Sequence, residues 1–350
     1  MTIAVERCNA SRVTDVDFNN IPFGRIFADH MFEVDFLNGT WQNPRIRPYG
    51  NLSLSPALSC MHYGQAIFEG MKAQRNSHGE IILFRPRENW KRLNFSARRM
   101  QMPEIPEDLF MDALISWVKL DHNWVPTSKG SALYIRPLMI ATDDYLGVKA
   151  STTYKFLIYG CPVSSYYTEP LRIRVEETYV RAAKGGVGEA KAAGNYAASM
   201  FPASRAQSEG FHQLLWTDAV EHRFIEELGT SNFFAVVNGE LYTPETEGTI
   251  LRGITRDSVI QVARQQNIPV HVQPITTDQL KDWFDHGELT EAFATGTAAT
   301  IAPIGIIQFR EQIMNLSPSN PITTKLHSTL DDMKTGKQPD IFSWNVEIGR

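Results

Sequence analysis

The chain has 350 residues, of which 43 % are hydrophobic and 21 % charged, and 34 Lys plus Arg against 39 Asp plus Glu leave a formal net charge of −5. This length buries a core without disulfides or structural metals and allows about two domains, while the acidic balance argues against a general nucleic-acid binder. No apolar run approaches the ~18 residues of a membrane span, residues 1–12 carry no secretory pattern, and Cys8, Cys60 and Cys161 show no CxxC or zinc spacing, so a cytoplasmic protein of enzyme size, with no metal, is expected.

In chain order, Phe32, Val34 and Phe36 alternate with Glu33 and Asp35, and Asn38-Gly39 supplies a turn. A hairpin is expected around Ser77-His78-Gly79, between 71–75 and 80–84. Pro86 suits the first position of a helix, and Trp90, Leu93, Ala97 and Met100 recur at helical spacing. Leu109, Phe110, Ala113, Leu114, Trp117 and Val118 mark a second amphipathic helix. Strands are expected over 131–140 and 154–159. The stretch 163–170, with serines and a proline at its end, reads as a linker. Beyond it come strands over 171–175, 212–216, 233–237, 270–272 and 290–294, and helices over 196–207, 255–265, 277–284 and 323–333. Asn238-Gly239 is a hairpin signal. The expected class is α/β (α+β), with a small domain over 1–162 and a larger one over 171–350.

Four segments fit simple packing poorly. Lys184-Gly185-Gly186 leads to Lys191-Ala192-Ala193-Gly194-Asn195-Tyr196, whose small residues leave an amine approachable. It is not a phosphate loop, because Ala190 and Ala192 flank the lysine where Gly and Ser or Thr are needed. Arg223-Phe224-Ile225-Glu226-Glu227 carries two acids beside apolar residues; a buried carboxylate needs a cation, and the alternative is a solvated edge. Gly253-Ile254-Thr255 opens a helix, with Thr255 as its expected cap, and a helix start favours anions. Gly296-Thr297-Ala298 offers turn amides to a carboxylate or phosphate. Each has an ordinary structural reading. Together a lysine, an acid and two anion sites are the parts that pyridoxal phosphate requires: a Schiff-base amine, a partner for the ring nitrogen and donors for the phosphate. Arg85, in Phe84-Arg85-Pro86, offers the arginine.

These residues resemble, in order, the fold-type IV pyridoxal-phosphate aminotransferases, and among them the branched-chain amino-acid aminotransferases. The resemblance runs through 27–31, 62–73, Leu83-Phe84-Arg85-Pro86, Tyr134-Ile135-Arg136-Pro137, Lys191-Ala192-Ala193-Gly194-Asn195-Tyr196, Glu227-Leu228-Gly229-Thr230, Gly253-Ile254-Thr255-Arg256 and Gly296-Thr297-Ala298. It implies a two-domain architecture with the cofactor, pyridoxal 5'-phosphate, between the domains, and a C-terminal domain carrying the cofactor lysine. Lys191 would be that lysine and the proton shuttle, Glu227 the partner of the ring nitrogen and Tyr196 that of the ring hydroxyl. Arg85, the Ile254 and Thr255 amides and Thr297 would hold the phosphate, with Arg181 nearby. Thr297 and Ala298 would bind the α-carboxylate. Phe32, Tyr63, Phe68, Tyr134 and Thr230 would line the side-chain pocket, and Arg136 would take the second carboxylate of glutamate. The implied reaction exchanges the amino groups of L-leucine, L-isoleucine or L-valine with 2-oxoglutarate, giving the branched 2-oxo acid and L-glutamate, in a homodimer or larger homo-oligomer. Some relatives carry CxxC after the Gly-Thr-Ala turn; Ala299 and Ala302 stand there, so no thiol switch operates at that place. The competing readings are a D-amino-acid aminotransferase or aminodeoxychorismate lyase of the same fold, and a non-catalytic scaffold, which the presence of Lys191 and Glu227 disfavours.

Overall fold

The computed structural model describes residues 2–18, 21–164, 169–298 and 300–349, so parts of the expected linker (165–168) and Ala299 lie outside the described residues. The chain divides into two compact units. The first comprises Met1–Tyr166, Ala190–Gly194 and Met333–Arg350; the second comprises Tyr167–Glu189 and Asn195–Asp332. The expected single cut in the chain therefore does not describe the packing. Residues 190–194, with Lys191, belong to the first unit because Ala190 and Ala192 are fully buried in its core. Residues 333–350 join it because Asn345–Gly349 pairs with Ile81–Phe84.

The first unit is built on a mainly antiparallel sheet. Its order is Ala4–Val5, Thr40–Pro48, His30–Leu37, Tyr154–Val163, Ala132–Ala141, Met71–Arg75, Ile81–Phe84 and Asn345–Gly349, with Ala66–Phe68 paired separately to Ala132–Ala141. Asn38 and Gly39 both take positive φ, 52° and 79°, as a two-residue hairpin of this type requires. The helices Pro86–Arg99 and Glu107–Leu120 contribute apolar faces to the core. Trp117 is fully buried and its indole N–H donates to the His30 carbonyl at 2.8 Å, so this large ring enters the core with its polar atom satisfied. Phe32 also belongs to this core. It is fully buried, edge-on to Phe156 with centroids 6.3 Å apart, which corrects its expected place in a substrate pocket. The alternation that marked 32–36 as a strand put its large ring inward.

In the second unit six strands close a ring. They run Ile225–Leu228, Gln213–Thr217, Leu171–Glu176, Thr300–Phe309, Leu289–Gly296 and Asn232–Val237, and the last returns to the first through the pair Glu227–Asn232. Closure removes the exposed edges that an open sheet would leave. Glu240–Thr243 and Val270–Val272 extend one side, and Gln312–Asn315 pairs with Thr300–Phe309. The strand Thr300–Phe309 has no counterpart in the sequence reading. Pro303 within it reads as a strand breaker, and Thr300 opens it at φ 62°.

Asp218 fixes the loop that delivers the strand Ile225–Leu228. Its carboxylate accepts from the backbone N–H groups of Val220, Glu221, Arg223 and Phe224 at 2.8–3.1 Å. Partial burial raises its pKa, but these four donors outweigh that and hold it at about 2. The folded value lies below the ordinary 3.8, so the stabilisation is complete above about pH 4 and is lost as the pH falls through about 2. Asp218→Ala is expected to cost about 1–2 kcal/mol at neutral pH. Chemical denaturation followed by circular dichroism checks this: the gap from the parent should shrink toward about pH 2, and a gap of constant size would reject the assignment.

Candidate active site

The residues singled out in the sequence fall into two sets, one in each unit. In the first unit Lys191 stands between Ala190 and Ala192, which are fully buried in the core, while Lys191 is itself half-buried. Its backbone is held on both sides: the N–H donates to Ser96 Oγ at 2.9 Å and the carbonyl accepts from Phe68 N–H at 3.1 Å. Ala192 also bridges to Ile67. The lysine Nζ lies 5.0 Å from the centroid of the Phe68 ring.

The same ring carries Arg136, whose guanidinium carbon lies 4.5 Å from the Phe68 centroid and 5.6 Å from that of Tyr134. Arg136 also donates to Tyr134 Oη at 3.3 Å. A side chain at position 70 would run into the Tyr134 hydroxyl, so Gly70 is what lets this ring lie where it does. Phe68, Tyr134 and Arg136 are thus brought together. Tyr63 is not among buried rings: it is 41 % exposed at the end of the helix Ser59–Tyr63, and its hydroxyl donates to the Leu146 carbonyl at 2.8 Å.

Arg85 stands immediately before the helix Pro86–Arg99, in a left-handed conformation at φ 51°. Its N–H donates to the Trp344 carbonyl at 2.8 Å, and its guanidinium lies 4.9 Å from the centre of the Trp344 ring. A buried cation is thereby oriented at a helix N-terminus, a suitable place for a phosphate.

One buried acid was left unassigned in the sequence. Glu69 is fully buried, and its carboxylate accepts from Arg92 Nε at 2.7 Å, from Arg92 Nη2 at 2.8 Å and from Asn89 Nδ2 at 2.8 Å. Burial pushes the Glu69 carboxyl up, but the charge and hydrogen bonds of Arg92, with smaller help from Lys191 and Asn89, outweigh it and hold the pKa below the ordinary value. Asn89, Arg92 and Ser96 are spaced three and four apart, so one stripe of the helix Pro86–Arg99 holds both Glu69 and the Lys191 backbone. Polar residues at this spacing beside Leu93 and Ala97 were the available signal.

In the second unit both acids of the pair are buried, Glu226 at 5 % and Glu227 at 3 % exposure, which excludes the solvated edge. Glu227 Oε1 lies 2.9 Å from Arg181 Nη1 and accepts from Leu251 N–H at 3.1 Å; Oε2 accepts from Asn232 Nδ2 at 3.1 Å. Arg181 is itself held by the carbonyls of Gly188 and Thr249. Asn232, also unassigned before, further donates to the Leu251 carbonyl at 2.9 Å.

The helix Ile254–Gln265 starts beside this acid. Gly253, not Thr255, is its cap; Thr255 lies inside the first turn and is buried. Any side chain at 253 would collide with Asn232 Oδ1, so glycine is needed to seat the helix start against the residue that holds Glu227. Arg256 follows, buried and bonded to Thr243 Oγ1 and the Pro244 carbonyl; burial lowers its pKa. Thr297 and Ala298 occupy the tight turn between Leu289–Gly296 and Thr300–Phe309. A Cβ on Gly296 would lie 3.3 Å from Ser231 Cβ and 3.4 Å from the Thr230 carbonyl, so this turn packs close to that of exposed Thr230. Tyr196 is half-buried on the helix Ala193–Ser208.

These features agree with what comparison with known proteins finds. Residues 66–307 match the model of the family described as amino-transferase class IV. The chain is 46 % identical over 339 residues to branched-chain-amino-acid transaminase 1 of Bacillus subtilis, covering 95 % of each chain. Among solved structures it is similar to the branched-chain amino acid aminotransferase of Thermobaculum terrenum in its PLP form, with 26 % identity, a TM-score of 0.76 and coverage of 91 % of this chain and 98 % of that one. It is also similar to the branched-chain aminotransferase of the thermophilic archaeon Thermoproteus uzoniensis with norvaline, with 27 % identity, a TM-score of 0.75 and coverage of 91 % and 99 %. From the matched span, and from a buried acid and a backbone-clamped lysine within it, the chain belongs to the class IV aminotransferases.

Proposed function

We propose that this chain is a branched-chain amino-acid aminotransferase, which moves the amino group of L-leucine, L-isoleucine or L-valine to 2-oxoglutarate and releases the branched 2-oxo acid and L-glutamate. The observation that carries the reading is the Phe68 ring, which has the Lys191 amine at 5.0 Å and the Arg136 guanidinium at 4.5 Å. An apolar wall with a cation on it accepts an aliphatic side chain and, in the other half-reaction, a carboxylate. Relatives with this activity in their names match nearly the whole chain.

The residues fit pyridoxal 5'-phosphate: an amine held by its backbone, a buried acid that keeps two oxygens fixed, and a twelve-residue helix whose start is seated on glycine. When bound, this group supplies an electrophilic carbonyl and an electron-withdrawing ring. Lys191 Nζ then serves as the amine that holds the group and as the base that takes and returns the substrate α-proton. Glu227 holds a proton on the ring nitrogen. Arg85, the Ile254 and Thr255 N–H groups and Thr297 bind phosphate, while Tyr196 hydrogen-bonds the ring oxygen. Thr297 and Ala298 orient the α-carboxylate, and Phe68 and Tyr134 receive the side chain, a role to which Tyr63 and Thr230 also contribute. Among the described residues no helix is long and apolar enough to cross a membrane. Three free cysteines suit a reducing cytoplasm, and a homo-oligomer is the proposed assembly.

Arg136 supplies the test of this reading. Arg136→Gln is expected to raise KM for 2-oxoglutarate and L-glutamate about 10- to 100-fold, the worth of a charge-assisted hydrogen bond, while leaving the leucine half-reaction within about threefold. The two half-reactions are followed separately by the absorption of the cofactor-loaded protein. Equal damage to both would reject the role of Arg136. A response to D-alanine alone would replace the proposed substrate class.

A further inference from the structure

Glu226 has no place in the mechanism above, yet it is buried to 5 % exposure beside the acid that has one. Its Oε2 finds no hydrogen-bond partner among the described residues. The groups whose charge or polarity bears on it come from four segments: Glu227 on its own strand, Arg181, Asp218 and Thr249. Thr249 links the two acids, because its carbonyl accepts from Arg181 Nη1 at 2.8 Å and that same nitrogen lies 2.9 Å from Glu227 Oε1. Two buried acids thus share the field of one guanidinium. A carboxylate with an unpartnered oxygen and an anion next to it is costly, whereas the neutral acid is not.

We propose that Glu226 is a positioning residue that sets the charge of the Arg181–Glu227 pair: as a neutral acid it leaves Arg181 wholly on Glu227, and once ionised it competes for Arg181 and strengthens the hold of Glu227 on a cationic ring nitrogen. The proposal rests on the reading of Glu227 as the partner of that nitrogen. Burial raises the Glu226 pKa to about 7, opposed by Thr249 and Arg181 and aided by Glu227 and Asp218, which places the change in the neutral range. A carboxyl whose folded pKa lies above its ordinary 4.5 favours the protonated fold, so stability falls as the pH rises from about 4.5 and levels off above about 7.

The test uses the purified, cofactor-loaded chain with its Glu226→Gln and Glu227→Gln variants, titrated across the neutral range. Infrared difference spectra of the parent against Glu226→Gln should show a protonated carboxyl that disappears through about pH 7. Glu226→Gln should melt higher than the parent by a margin that grows over the same interval. The visible absorption of the parent should change near that pH, and its cofactor dissociation constant should be lower on the alkaline side by about three- to tenfold, where a tenfold change corresponds to one pKa unit of coupling; in Glu226→Gln both should be flat. A parent carboxyl that is ionised throughout, or an absorption change that persists in Glu226→Gln, overturns the proposal. Glu227→Gln separates the two readings. If it binds cofactor with the parent's spectrum and affinity, the role of Glu227 falls; if it binds weakly while the parent shows no neutral-range change, only the role of Glu226 falls.

Discussion

Lys191→Ala is expected to lower turnover by about four orders of magnitude, because in the proposed role of this residue it removes both the amine that holds the cofactor carbonyl and the base that moves the α-proton, and the base alone supplies up to about 10⁴-fold. The fold should survive. Ala190 and Ala192 fill the core on either side, and the bonds to Ser96 and Phe68 use only the Lys191 backbone, which alanine retains. The predicted outcome is a protein that melts near the parent, still takes up cofactor through its other contacts, and does not complete the spectral cycle with L-leucine and then 2-oxoglutarate. A small primary amine added to the buffer should restore part of the proton transfer. If the alanine variant cycles at more than about a hundredth of the parental rate, another group is the base.

Arg92→Leu is expected to cost about 3–5 kcal/mol, the effect of removing one partner of a buried ion pair and leaving the other charged. Glu69 is wholly enclosed and Arg92 is its main cationic partner, so the loss leaves its carboxylate with the Asn89 amide, the Gly70 N–H and the weaker charge of Lys191. In the parent the Glu69 pKa lies below its ordinary 4.5, so its stabilisation is present above that value and is lost as the pH falls through the folded value. In the variant burial is no longer outweighed, the pKa moves up, and the sign reverses. The gap in unfolding free energy between parent and variant should therefore be widest at neutral pH and close in acid. Adding Glu69→Gln to Arg92→Leu should recover part of the loss, since the amide is neutral. A single variant that unfolds with the parent, or a gap independent of pH, would falsify this account of Glu69. The same variant probes function, because the stripe that carries Arg92 also carries Ser96 and so the Lys191 backbone.

Much of this was legible in the chain before it folded. Period-two alternation located Phe32 to Phe36 on a strand, but alternation alone does not separate a core face from a pocket face, and Phe32 proved to be core. Glycine-bearing turns were readable because few residues tolerate positive φ, as Asn38-Gly39 and Asn238-Gly239 confirm at 52°, 79°, 51° and 84°. The strand Thr300–Phe309 was hidden by Pro303. The helix start at Gly253 was misread by one motif: a threonine near a helix start resembles a cap, but the backbone there needs glycine to clear Asn232.

Residue type and local order were enough to give the family, which the matched span bears out, and to single out Lys191, Glu227 and the two glycine-bearing turns as the proposed site, because each of these is written in a few consecutive positions. The partners of those groups came from the tertiary arrangement. Arg92 stands 23 residues from Glu69, Ser96 stands 95 from Lys191, and Arg181 stands 46 (227 − 181) from Glu227. No local pattern encodes such distances. They follow from which strands pair and which helix face is buried, and burial is what makes each pairing necessary, since a carboxylate withdrawn from water must find its cation or give up its charge.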